Sequence, residues 1–221
     1  MNHNILYSFR RCPYGIRARW ALLNTNQVVE LREVDLKNKP IDLIKISKKA
    51  TVPVLKTHLN KVIDESIDIM IWSIKRSNRL ELFADNDKSQ EIFNLIDIND
   101  KEFKYHLDRF KYANRFNYED LETHRNSGME ILLSLNNRLE NHSKKGKSLF
   151  LINGKESLAD WAIWPFVRQF RIADIKKFDQ NNEIIFLKYW LSYFLTHEKY
   201  PIVMKKNEPW RKQNDPLIYG E

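Results

Sequence analysis

Between Asn4 and Ile74 the hydrophobic period switches back and forth between that of a strand and that of a helix, and after about Asp87 it stays helical. "NILYSF" (Asn4–Phe9) is a short β-like run, and Tyr14–Asn24 sets Ile16, Trp20 and Leu23 at helical spacing. "VVELREVDL" (Val28–Leu36) alternates apolar with charged residues, as a second strand does. "PIDLIKI" (Pro40–Ile46) is a short helix opened by a proline at or near its first turn. "TVPVLKT" and "KVIDE", with "HLN" between them, read as a hairpin, and Ser66 reads as the N-cap of a helix through "IDIMIWSIK". The order is βαβαββα. A helical crossover lets the first two strands lie parallel, while the last pair closes antiparallel.

The rest carries apolar and aromatic residues three and four apart, as in "SQEIFNLIDINDKEFKYHLDRFKYA", "SGMEILLSLNNRLENH" and "NEIIFLKYWLSYFLTHE". The predicted fold class is an α/β module, residues 1–76, and an all-helical module, residues 89–221, joined by the polar stretch 77–88. Within the helical part "SLAD" (Ser157–Asp160) has the form of a capping box with Asp in the Glu/Gln position. Pro165 is expected to kink that helix or to cost it a hydrogen bond.

Composition excludes several function classes. The chain has one cysteine in 221 residues, so no internal disulfide forms and nothing points to an oxidising compartment. The start lacks the features of a signal peptide, and no apolar run approaches the roughly 18–20 residues that cross a bilayer, so the expectation is a cytoplasmic protein without a membrane span. The formal charge is +8, but the basic residues are dispersed among acids and no nucleic-acid-binding signature accompanies them, which argues against nucleic acid as a partner. The six histidines are scattered without metal-ligand spacing, and no GxGxxG or Walker A pattern occurs, so no metal is expected.

The single thiol is placed where chemistry is available to it. A lone cysteine is most often a small core hydrophobe. Cys12 instead sits between a strand ending near Phe9 and a helix beginning near Pro13, at or next to the N-cap. There, unpaired N–H groups and the helix dipole favour S⁻, and such placement moves a thiol pKa from about 8.5 into the roughly 3.5–7.5 range. Arg10, Arg11 and Arg17 add positive potential. The motif is "CPYG", so the protein has no second cysteine to resolve a mixed disulfide and an external thiol must do it.

The remaining candidates offer a cradle for a small thiol. A cis Val52–Pro53 bond would expose the Val52 backbone to a peptide-like ligand; the alternative is an ordinary turn proline. Ser66 and its neighbouring N–H groups suit a carboxylate and Glu65 an ammonium, although, taken alone, an N-cap beside a favourable acidic residue is the simpler account of both. Lys39 suits a second carboxylate, or is merely solvated. A tripeptide with a zwitterionic head, a central thiol and a terminal carboxylate, which is glutathione, fits these groups together.

Here a resemblance becomes specific. Leu6–Ile74 resembles the thioredoxin-like domain of the glutathione transferase superfamily, and the helical remainder resembles its second domain, with "SLAD" as the family's capping motif. "CPY", "LKNKP" and "VPVL…DES" are most similar to the cysteine-type, omega-class-like bacterial enzymes. The resemblance implies that Cys12 is the catalytic thiol and that Lys39 meets the glycyl carboxylate. It implies also that Val52 beside cis-Pro53 pairs with the cysteinyl part, and that Glu65 and Ser66 hold the γ-glutamyl head. It implies a homodimer and glutathione as co-substrate. The expected activity is thiol–disulfide exchange through a mixed disulfide on Cys12, acting on a small disulfide or electrophilic substrate: deglutathionylation and dehydroascorbate-type reduction. The alternatives are a two-domain glutaredoxin-like oxidoreductase and a non-catalytic ligand carrier or regulator on the same scaffold.

Overall fold

The computed structural model describes residues 3–84, 86–116 and 120–220. The chain divides into two compact units, Met1–Leu80 with Glu198–Glu221, and Glu81–His197.

The first unit starts with β1 (Asn4–Ser8), α1 (Pro13–Asn24), β2 (Val29–Glu33), α2 (Ile41–Ile46), β3 (Val54–Lys56), β4 (Val62–Ile63) and α3 (Ser66–Arg76), the predicted order. β1 and β2 run parallel from Asn4↔Val29 to Ser8↔Glu33, β3 lies antiparallel to β1, and β4 antiparallel to β3. Strand alternation divides the side chains of β1 between two layers. Tyr7 turns to one side, where it packs with Val34, Val54 and Leu43 of α2. Ser8 turns to the other, where its hydroxyl meets Arg19 of α1. The sheet's central positions are apolar, with Leu6, Leu31, Val54 and Leu55 almost wholly buried, while Glu30 and Arg32 alternate with buried residues along β2.

The all-helical expectation for 89–221 needs correcting at its end. From Glu198 the chain belongs with the first unit, where a short helix, Tyr200–Val203, is followed by β5 (Ile218–Tyr219). β5 pairs antiparallel with β2, giving the sheet order β4-β3-β1-β2-β5 among the described residues. The physical reason is the open edge of β2, whose N–H and C=O groups need partners. A two-residue strand is too short to show a period.

The second unit holds α4 (Asn86–Ile98), α5 (Lys104–Lys111), α6 (Leu121–Lys144), α7 (Leu158–Ala173), α8 (Ile175–Gln180) and α9 (Ile185–Thr196). The division falls between Leu80 and Glu81, inside the expected 77–88 linker, of which Asp85 lies outside the described residues. The capping box forms as expected. Asp160 accepts from the Ser157 backbone N–H at 2.9 Å and hydroxyl at 2.7 Å, and also from the Leu151 N–H and Trp190 Nε1, each at 2.9 Å. Pro165 does not end α7, which runs on to Ala173. Among the described residues no helix is long and apolar enough to cross a membrane.

Candidate functional site

β1 ends at Ser8 and the chain must turn before Pro13 starts α1. The turn closes through a hydrogen bond from the Cys12 N–H to the Phe9 carbonyl, 3.1 Å. Cys12 is the N-cap, in extended conformation (φ −72°, ψ 123°), and its carbonyl receives the Ile16 N–H at 2.8 Å. Pro13 occupies the first helical position, where a missing N–H costs nothing. The thiol is half-buried, with Sγ 3.6 Å from the carbonyl oxygen of Val52, to which it donates. The Val52–Pro53 peptide bond is cis. A carbonyl facing sulfur favours S–H, whereas the N–H groups of the first helical turn favour S⁻, so ionisation breaks the contact with Val52 and leaves the helix end as the anion's support.

Behind this turn lies a residue that the sequence analysis did not single out. Arg19 is 1% exposed, and its guanidinium donates from Nη1 to the Ser8 hydroxyl and to the Phe9 carbonyl (3.3 Å), and from Nη2 to the Arg10 carbonyl (2.7 Å). Nε donates to the Val203 carbonyl at 3.1 Å, and the Tyr219 hydroxyl donates to the Arg19 carbonyl at 3.1 Å. Burial pushes the Arg19 guanidinium down, while Tyr219, Glu33 and Cys12 pull it back up electrostatically. Glu33, also buried, accepts the Arg10 N–H at 2.7 Å; burial pushes its carboxyl up against the opposing pull of that N–H and of Arg19 and Arg10. The backbone carbonyl of Glu33 accepts from Trp210 at 2.8 Å. The loop carrying the thiol is thus pinned from beneath by one cation and one acid.

Gly15, at the position where a second cysteine would stand, is equally constrained. A Cβ there would lie 2.8 Å from the Ser8 Oγ and 3.0 Å from the Phe9 carbonyl, the two atoms fixed by Arg19.

The other expected residues fall into two groups. Ser66 is 3% exposed and is the first residue of α3 rather than its N-cap, which is Glu65; the helix starts where the Ile69 N–H bonds the Glu65 carbonyl at 3.0 Å. The Ser66 hydroxyl accepts from Nε of buried Arg17 at 3.0 Å, so α1 and α3 meet through the two residues. Receiving that bond leaves the serine O–H free to donate outward. The Glu65 carboxylate is paired with Lys49, both more than half exposed. Lys39 is tied to none of these by a hydrogen bond or ion pair among the described residues. It lines a groove of about 450 Å³ together with Trp210 and Arg211.

Arg17 therefore supports the Ser66 hydroxyl, a more specific placement than the diffuse positive potential expected of it. For Arg19 a signal was available: in "CPYGIRARWALL" it follows Gly15 by four residues and precedes Leu22 and Leu23 by three and four, an apolar helical face on which an arginine must be buried. No residue group able to hold a metal occurs among the described residues.

Residues 6–78 match the family profile described as Glutathione S-transferase, N-terminal domain. No curated protein matches the chain by sequence. The fold is similar to the tau-class glutathione S-transferase of mango, Mangifera indica, at TM-score 0.79 and 22% identity, covering 92% of this chain and 93% of that one. It is similar also to the nitrogen regulation fragment of the yeast prion protein Ure2p, at TM-score 0.75 and 15% identity, covering 93% and 97%. A glutathione transferase family member from Pseudomonas fluorescens, solved with two glutathione bound, matches at TM-score 0.75 and 16% identity, covering 92% and 93%. At such identities the likeness is one of fold. The chain therefore has the glutathione transferase fold, and its residues 6–78 are the part that matches the N-terminal domain of the glutathione S-transferases.

Proposed function

We propose that this protein is a glutathione-dependent thiol transferase of the cysteine type, with Cys12 as the nucleophile. The observation that carries the reading is the half-buried thiol at the N-cap of α1, on a loop that Arg19 and Glu33 fix. The Cys12 thiolate attacks the glutathionyl sulfur of a mixed disulfide, forming Cys12–S–SG and releasing the substrate thiolate, which takes a proton from water. A glutathione thiolate then attacks the glutathionyl sulfur of that adduct, forming oxidised glutathione and restoring the Cys12 thiolate. Dehydroascorbate-type reduction draws on the same electrons.

In this reading Val52 pairs with the cysteinyl part beside Pro53. The Ser66 hydroxyl, backed by Arg17, donates to the γ-glutamyl carboxylate. Glu65 accepts the ammonium, which displaces Lys49 at little cost because water screens so exposed an ion pair. Lys39 meets the glycyl carboxylate. The crowding at Gly15 supports a monothiol route over a dithiol, glutaredoxin-like one. A reducing cytoplasm and a homodimer belong to the same proposal. A second reading, a non-catalytic glutathione-binding regulator, has support from the fold likeness to the yeast nitrogen regulation fragment.

The experiment is the pH dependence of Cys12 alkylation, with mass measured after oxidised glutathione and again after the reduced form, and Cys12→Ser as control. A thiolate populated near pH 7 and one reversible glutathione adduct support the enzyme. An inert thiol that takes no adduct rejects it in favour of the regulator.

A further inference from the structure

The groove lined by Lys39 is walled on its other side by the C-terminal stretch of the first unit, which is held at several points. The Trp210 N–H bonds the Glu33 carbonyl at 2.8 Å, and the Leu217 carbonyl accepts the Leu31 N–H at 2.8 Å. The Trp210 ring lies 4.1 Å beneath the Arg32 guanidinium, which itself donates to the Glu30 carboxylate and to the Tyr7 hydroxyl, each at 2.7 Å. Beyond Trp210 the chain turns back on itself, with the Arg211 N–H on Asn214 Oδ1 at 2.6 Å and the Asn214 N–H on the Arg211 carbonyl at 2.9 Å. Arg211 and Lys212 of this turn line the groove together with Lys39 and Lys45.

Four cationic side chains thus line a concavity of about 450 Å³ that contains one carboxylate, Asp42. The Debye length at physiological salt is about 8 Å, so charges on the walls of so small a groove act on one occupant together. The groove adjoins the thiol loop through one residue: Glu33 receives Trp210 on its backbone carbonyl and Arg10 on its carboxylate. A single glycyl carboxylate engages one lysine. The rest of the wall asks for further negative charge.

We infer that the Trp210–Lys212 turn and Lys45 extend the Lys39 subsite into a specificity site for peptide thiols and disulfides whose C-terminal end carries more than one carboxylate. The inference rests on the glutathione reading above, since it takes Lys39 as the anchor of the C-terminal carboxylate. The groove ranks such acidic ligands above glutathione itself, and salt weakens that ranking.

The test is calorimetric titration of the full chain, in a Cys12→Ser background that prevents disulfide formation, with glutathione and with γ-Glu-Cys-Glu, which adds one carboxylate. The expected result is an affinity ratio of about threefold to tenfold for the acidic analogue at low salt, in keeping with one or two exposed ion pairs. That ratio falls towards one at high salt and in R211A/K212A, while K205A/K206A, which removes the same charge from outside the groove, keeps it. A ratio near one in the parent, or a ratio lost equally in both double variants, overturns the extended site while leaving the glutathione reading standing. Binding of the acidic analogue without glutathione overturns the glutathione reading and keeps the cationic groove. Binding of neither overturns both.

Discussion

Nη2 of Arg19 donates to the backbone carbonyl of Arg10 at 2.7 Å, so a guanidinium sealed from water sets the path of the chain two residues before its only thiol. Replacing Arg19 by Met leaves the Phe9, Arg10 and Val203 carbonyls and the Ser8 hydroxyl without their donor. The expected loss is about 3–5 kcal/mol in urea unfolding, the range seen when one side of a buried charged network is removed. Arg19→Lys keeps the charge but not the fork, and should fall between the two. Among molecules that remain folded, the midpoint of Cys12 alkylation should move to higher pH in Arg19→Met and much less in Arg19→Lys. Equal midpoints would make Arg19 a purely structural support.

Gly15 offers a test of why the motif stops at one cysteine. Gly15→Ala brings a methyl against the Ser8 Oγ and the Phe9 carbonyl, and should cost about 1–3 kcal/mol by overpacking. An alanine there would otherwise favour a helix over glycine by up to about 1 kcal/mol. A net gain in thermal or urea stability would therefore show that the loop yields easily.

Asp160 gives a pH prediction with a definite sign. Its four donors are opposed by complete burial, and its carboxyl is pushed up from 3.8 to about 6. A folded pKa above the unfolded one means that the native state binds the extra proton. The contribution is fully present below about pH 4 and is lost as pH rises through about 6. In urea titrations across pH 4–7, Asp160→Asn should remove this downward slope relative to wild type. Asp160→Ala orphans the Leu151, Ser157 and Trp190 donors and should destabilise throughout this range, by at least about 1–3 kcal/mol, with the larger loss at the acid end, where wild type is most stable.

The opposite slope belongs to His106. Its Nδ1 lies 2.9 Å from Nδ1 of His124, an arrangement that needs at least one of the two nitrogens unprotonated. Burial lowers the His106 pKa below 6.5, with His124 and Arg109 adding to the effect and Glu102 and Glu130 opposing it. A depressed folded pKa gives stability that is present above about pH 6.5 and is lost as pH falls through the folded value. His124→Gln removes the ring that helps to hold the His106 pKa down, and NMR titration should then find the His106 midpoint raised. No movement would mean the two rings titrate independently.

The βαβαββα order of the first module was readable because each element carries its own period and its own stop signal, and Cys12 and Ser66 could be placed by their neighbours alone. The burial of Arg19 was readable from its apolar helical face, but its partners, Glu33 and the groove at Lys39 were not, because each depends on contacts across large sequence gaps. Arg19 reaches Val203, and Glu33 reaches Trp210, through backbone atoms that carry no side-chain signature. The same cause hid β5: two residues pairing with an edge nearly two hundred positions away leave no local pattern. Ser66 was displaced by a single position, since the N-cap role belongs to the Glu65 backbone and the serine hydroxyl is already committed to Arg17.

The closure of the sheet by Ile218–Tyr219, together with the Val203 carbonyl on Arg19, has a consequence for the order in which the protein comes into being. A ribosome delivers the thiol loop early, but two of the groups that complete its setting, Val203 and Tyr219, emerge some two hundred residues later. Until then the edge of β2 is open and a buried cation lacks one of its acceptors. The nascent chain therefore carries its cysteine in an unfinished cradle, and the thiol gains its final surroundings only when the two ends of the first unit meet.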